Sequence, residues 1–184
     1  TVKLSDTQVV AATGLPLTKS VCTNSSTTNV CENTTCKVTK KDGSCKTWNQ
    51  VCTPVTTCNQ SATYYLRRCV TERMGASQLT DAAPGTGSYV DGYKAGAADA
   101  YTSSLNTAKS CTPNQTIVPL TQNKVALKST VSAFSASGTT AGSLGTAWAW
   151  YLLSPEWNAA LSGDTAAKSY GTDKLKKIAV LMTD

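Results

Sequence analysis

Histidine is absent from all 184 residues, and this absence removes several chemistries at once. AGSLG at 141–145 comes close to a nucleophile elbow around Ser143, but that device needs a histidine base and fails without one. Structural zinc commonly takes cysteine with histidine in closely spaced pairs. Here no CxxC occurs, and the tightest pair, Cys31 and Cys36, has four residues between its members. Acidic residues are few, 11 against 17 basic ones, and show no catalytic pairing. GTGSYV, from Gly85, lacks the third glycine of a dinucleotide loop, and no GxxxxGK is present. The chain therefore reads as non-enzymatic, with no small-molecule substrate. No signal peptide or membrane-spanning stretch is visible, so an export signal or membrane anchor is expected outside this stretch.

Cysteine, by contrast, is plentiful. Cys22, Cys31, Cys36, Cys45, Cys52, Cys58 and Cys69 crowd into residues 22–69, where apolar residues are sparse, and Cys111 completes an even set of eight. A segment so poor in hydrophobes builds no core of its own, and such a pattern reads as a disulfide framework in an oxidising compartment. One long-range bridge, Cys69 to Cys111, is expected, because both flank the structured part while the other six can close locally. The pairing of those six does not follow from their spacing.

The net charge of +6 is modest for a nucleic-acid binder. Lys37, Lys40, Lys41 and Lys46 cluster in the cysteine-rich region, with Arg67 and Arg68 nearby, but Trp48, Tyr64 and Tyr65 are the only aromatics at hand for stacking. A solvated loop face is expected there, not a nucleic-acid groove. Asn24, Asn33, Asn59 and Asn114 stand in Asn-x-Ser/Thr sequons, which arise by chance in a Thr-rich chain.

Three regions follow from composition. Residues 1–21 read as a strand and loop, with Val2, Leu4, Val9 and Val10 in a β-prone setting before Gly14 to Pro16. Residues 22–63 form a cysteine-rich insertion with a tight turn at Asp42-Gly43. Residues 64–184 continue the main domain, with a loop-rich stretch over 74–115 and a short helix near Ala97 to Leu105. A strand is expected at Ile117 to Leu120, then a helix capped by Thr121 with Leu127, Val131 and Phe134 on one face. Leu144, Trp148, Tyr151 and Leu152 predict a second helix from about Ala141 to Leu153, ending at Ser154-Pro155.

The last strong signal is KKIAVLMTD at 176–184. Its unbroken apolar run, Ile178 to Met182, suits a strand buried on both faces of a parallel sheet. Asp184 would then stand at the carboxyl edge, where open α/β sheets bind ligands. Gly138, Thr139 and Thr140 precede a helix. A threonine hydroxyl and a strand-end aspartate are hard oxygen ligands of the kind Mg²⁺ accepts.

CVTER at 69–73, DAAPGTG at 81–87, VPLTQNKVALKSTVSAFSASGTTAGSLGTAWAWYLLSPEW at 118–157 and KKIAVLMTD resemble the von Willebrand factor type A part of TadG-like proteins of bacterial Tad (Flp) pilus systems. The likeness covers roughly residues 64–184. It implies an α/β fold, a Rossmann-like doubly wound and mostly parallel sheet, here as a partial domain carrying a disulfide-rich insertion. It also implies a metal-ion adhesion site in which Thr140 and Asp184 would hold Mg²⁺. The DxSxS motif of such sites is missing, since DTQVV from Asp6 has Gln8 and Val10 in place of the serines. Family members often have histidine where this chain has Ser143.

The function so implied is adhesion or assembly in a pilus or cell-envelope system, by binding a protein partner in the periplasm, the envelope or at the bacterial surface. The alternative is a structural scaffold, secreted or on the surface, whose cysteine-rich insertion makes the contacts without metal.

Overall fold

The first element turns on two polar side chains. Ser5 Oγ accepts the Gln8 N–H at 3.4 Å, and Gln8 Oε1 accepts the Ser5 N–H at 2.9 Å. This reciprocal capping box satisfies donors that a helix start leaves orphaned. In a computed structural model the chain accordingly forms only a short strand β1 (Val2–Lys3) and then a helix α1 (Asp6–Thr13), where a strand through Val10 was expected. The helix stops at Gly14, whose φ of 68° lies in the left-handed region. The Tyr89 ring packs so closely on Gly14 that a Cβ there would meet it at 2.5 Å.

The structure describes residues 1–94, 99–111, 116–135 and 141–182. After α1 come β2 (Thr18–Thr39), β3 (Cys45–Leu66), β4 (Cys69–Val70), a 3-10 turn at Gly75–Ser77 and β5 (Tyr101–Thr102). Helices α2 (Leu105–Lys109), α3 (Lys124–Ser132) and α4 (Gly142–Leu153) follow, then a 3-10 turn at Pro155–Trp157 and α5 (Asn158–Leu161). The chain divides into two compact units, Thr1–Lys19 with Tyr64–Asp184, and Ser20–Thr63.

In the first unit β1 pairs antiparallel with β4, Val2 opposite Val70 and Lys3 opposite Cys69. The end of β3 pairs antiparallel with β5, Tyr65 opposite Thr102 and Leu66 opposite Tyr101. The core gathers Leu4, Val9, Leu66 and Val70 with the inward face of α4 and with Trp157, Ala160 and Leu161. Leu144, Trp148 and Tyr151 are the buried positions of α4, at the i, i+4, i+7 spacing of one helix face. Cys69 is bonded to Cys111.

The doubly wound parallel sheet is not present. β1, β4 and β5 are two residues long, every strand pairing of this unit is antiparallel, and a lone bridge between Lys3 and Thr116 is parallel. Ile178 to Met182 lies in no strand, and Ile178, Val180 and Met182 are 74%, 80% and 93% exposed. An apolar run becomes a buried parallel strand only between parallel neighbours that helices cover on both faces. No such neighbour exists among the described residues. The long strands β2 and β3 are joined across the turn Lys40–Ser44, a connection short enough only for antiparallel pairing. Residues 117–120 likewise form no strand beyond the bridge at Thr116, although the Ile117 N–H reaches the Lys3 carbonyl at 3.0 Å.

Smaller expectations shift too. Asn123, not Thr121, caps α3, its Oδ1 accepting the Ala126 N–H at 3.0 Å. Thr121 Oγ1 instead donates to Asp164. The short helix expected near Ala97 to Leu105 falls partly on 95–98, outside the described residues, and β5 occupies Tyr101–Thr102; helix begins only at Leu105.

The second unit is a ribbon. Cys22–Cys58, Cys31–Cys52 and Cys36–Cys45 are nested bridges with sequence separations of 36, 21 and 9, all closing about the turn. Gly43 takes φ 86°, and Asp42 Oδ1 accepts both the N–H and the hydroxyl of Ser44. Asp42-Gly43 thus forms the tight turn, and its glycine supplies the backbone conformation that a side chain would resist.

Ser5→Ala removes one half of the capping box and is expected to cost about 1 kcal/mol of unfolding free energy. Urea denaturation followed by tryptophan fluorescence measures it, and an unchanged midpoint would show that α1 is held by packing alone.

Candidate functional site

Thr140 and Asp184, together with Gly138 and Thr139, lie outside the described residues. Among the described residues no group of three or more His, Cys, Asp or Glu side chains is placed to hold a metal ion. Ser143 is exposed on the first turn of α4. Gly85 belongs to a turn closed by Ser88, whose N–H and hydroxyl both reach the Gly85 carbonyl.

Three of the segments that carry the resemblance meet in a single cluster. Arg73, from CVTER, is fully buried and donates to the carbonyls of Thr80 and Ala82. Its guanidinium lies 4.6 Å from the Trp157 ring centroid and 5.1 Å from that of Tyr151. Those two rings stack at 4.1 Å and 8°, and Trp148 meets both edge-on. Asp81, the first residue of DAAPGTG, accepts the hydroxyls of Ser154 and Tyr170.

The electrostatics follow from these partners. Burial lowers the Arg73 pKa from its usual value, and it raises that of Tyr151. The Ser154 hydroxyl, then that of Tyr170, hold the Asp81 carboxyl below its ordinary range, with a smaller contribution from the Arg73 charge. A charged guanidinium set against a stacked pair of aromatic rings and donating to two carbonyls, though its Nε finds no partner, ties neighbouring loops together. In these contacts the cluster plays a structural part.

Arg68 departs from the solvated basic face. It is buried, pairs with Asp6, and donates to the Leu66 carbonyl. That contact is the largest cause of the lowered Asp6 pKa. Arg67 is half-buried, Tyr65 is taken up in pairing with β5, and Tyr64 packs against the core. Only Lys37, Lys40, Lys41 and Lys46 remain exposed, around the ribbon turn.

The ribbon is open to solvent along its whole length. No residue from Ser20 to Thr63 is buried, and Val30, Val38, Trp48, Val51 and Val55 are exposed along its two strands. Between the apolar positions run cross-strand polar contacts, among them Thr27 with Thr56 at 3.0 Å, Asn49 with Thr35 at 2.9 Å and Gln50 with Asn33 at 3.1 Å. Three of the four sequon asparagines, Asn24, Asn33 and Asn59, are exposed on these strands, while Asn114 lies outside the described residues. The composition named the disulfides but not the strands. The cysteines are arranged in mirror order around Asp42-Gly43, and that symmetry was the available signal of a hairpin.

No family model, no curated protein and no solved structure matches this chain. The four disulfides are consistent with a secreted or extracellular protein, and among the described residues no helix is long and apolar enough to cross a membrane.

Two outcomes follow. Arg73→Lys retains the charge but loses the planar fork that reaches two carbonyls, so a loss of roughly 2 kcal/mol or more in urea denaturation is expected. Asp6 and Asp81 titrate lower in the folded than in the unfolded chain. Their contribution is therefore complete above about pH 4 and is lost as pH falls through the lower folded values. Asp42 and Asp99 are lowered as well, by Ser44 and Lys19 respectively, and Asp6, Asp42 and Asp99 are all exposed, so solvent screening reduces what these three contribute relative to the half-buried Asp81. Stability measured against pH should stay level down to about pH 4 and drop below it, with a shallower drop in Asp81→Asn.

Proposed function

We propose that this chain is a non-enzymatic adhesion or assembly module of a bacterial envelope or pilus system, and that it binds a protein partner through the stapled ribbon of residues 20–63. The observation that carries this reading is a ribbon with no buried face that is nevertheless held by three nested bridges. Ordering two strands of 22 residues costs conformational entropy that no core offsets. Cross-links reduce that cost in advance, and a pre-ordered surface binds without spending the free energy again. Open strand edges and the exposed Val30, Val38, Trp48, Val51 and Val55 suit strand addition with side-chain anchoring by a protein.

The bacterial and pilus parts of the proposal rest on the sequence likeness over residues 64–184. An envelope or extracellular location agrees with the disulfides. The contact is metal-independent in this reading, which favours the ribbon scaffold over the Mg²⁺ adhesion site.

The experiment replaces residues 20–63 with a short Gly-Ser turn, retaining Leu17 and Leu66, whose backbones are bonded at 2.8 Å. Binding to purified pili and envelope fragments of the producing bacterium is expected for the whole chain and lost in the shortened one. Persistent binding would remove the ribbon as the interface. EDTA should leave binding unchanged, whereas chelator-sensitive binding would restore the metal. A steep fall of affinity with salt would transfer the contact to the lysines at the ribbon turn.

A further inference from the structure

Helix α3 has no buried residue. Val125, Leu127, Val131 and Phe134 are all exposed, and Val125, Val131 and Phe134 by more than half. A nine-residue helix is too short to persist in water on propensity alone, so it needs a cover on its apolar side. That side faces a groove of about 370 Å³, lined by Val2, Ile117, Leu127, Val131, Phe134 and Leu152 among others.

A second segment has the converse need. Ile178 to Met182 carries no charge, lies in no element and exposes its apolar side chains to water. In an extended chain Ile178, Val180 and Met182 share one face, and each of these three is more exposed than Leu181. The root of the segment is fixed beside the groove. Lys177 Nζ donates to the Leu153 carbonyl at 2.7 Å and to that of Lys168, and it sits 4.2 Å from the Tyr170 ring centroid. Leu153 is the neighbour of Leu152, which lines the groove.

We infer that Ile178–Met182 of the same chain is the occupant of this groove, a strap that closes over α3 with Ile178, Val180 and Met182 facing in. A tether at Lys177 gives the chain's own segment a local concentration that a second copy lacks. The inference is independent of the ribbon and of its partner.

The test places p-benzoylphenylalanine at Val180 in the whole chain and irradiates it. The expected product is a cross-link to peptides within 116–134 or to Leu152, migrating as monomer. A cross-link in a dimer band would assign the groove to a second copy, and no cross-link to these peptides would leave the strap unseated; either result overturns the proposal. Hydrogen exchange supplies a measurement on the unmodified protein. Amides of 178–182 should exchange at least about tenfold more slowly than in Val131→Asp, a factor that corresponds to about 1.4 kcal/mol. Val131 is exposed, so this variant leaves the aromatic cluster around Arg73 intact, which near-UV circular dichroism verifies. Equal exchange in the two proteins would also overturn the proposal.

Discussion

The ribbon of residues 20–63 exists because its two strands are covalently joined. A two-stranded hairpin without a packed face is marginal in water, since its hydrogen bonds compete with solvent and its side chains bury nothing. Cys36–Cys45 closes the turn end, Cys31–Cys52 the middle and Cys22–Cys58 the far end. Each inner bridge shortens the free loop that the next must close, so the three act as steps of one ladder and not as separate cross-links. In the reduced chain, by this logic, the paired Thr, Asn and Gln side chains have nothing to hold them opposite one another.

The other unit meets the same entropic cost by burial. Trp157, Tyr151, Trp148 and Leu144 provide large apolar areas, and the helices α1, α4 and α5 supply the frame around them. Its unusual member is Arg73. Burying a guanidinium costs free energy unless its protons and charge are answered. The carbonyls of Thr80 and Ala82 accept from its terminal nitrogens and the rings of Tyr151 and Trp157 lie against it, while its Nε is left without a partner, so the cost is met in part. Asp81 keeps its own charge through Ser154 and Tyr170 and lends a smaller field to Arg73. Chain over 74–94, irregular apart from the 3-10 turn at Gly75–Ser77, is thereby tied to the end of α4.

Periodicity made α4 legible almost to the residue, because an inward face at i, i+4 and i+7 is a local property of the sequence. The oxidising character of the chain and the turn at Asp42-Gly43 were legible for the same local reason. α1 was hidden behind the β-branched Val9 and Val10, whose propensity the capping box at Ser5 and Gln8 overrides. The parallel sheet was misread because an apolar run specifies burial and not the neighbours that provide it: Ile178 to Met182 has the composition of a core strand but no strand beside it. Arg73, Asp81 and Trp157 belong to separate motifs in the sequence, and nothing local indicates that residues 84 apart in the chain, such as Arg73 and Trp157, will stack.

The two ways of meeting the entropy cost have different functional consequences. A packed core consumes the apolar side chains that build it, as Leu4, Val9, Trp148, Tyr151 and Trp157 are consumed in the larger unit. A covalent ladder consumes only cysteines, and every other residue of the ribbon remains available, including a tryptophan and four valines that would be buried in a self-sufficient domain. Such a surface is stable without a partner and still gains from burial when one arrives. Rigidity and exposed apolar area oppose one another in most folds, because the same contacts supply the first and remove the second. Here cross-links supply the rigidity, so the exposed side chains of the cysteine-rich segment are not needed to build a core.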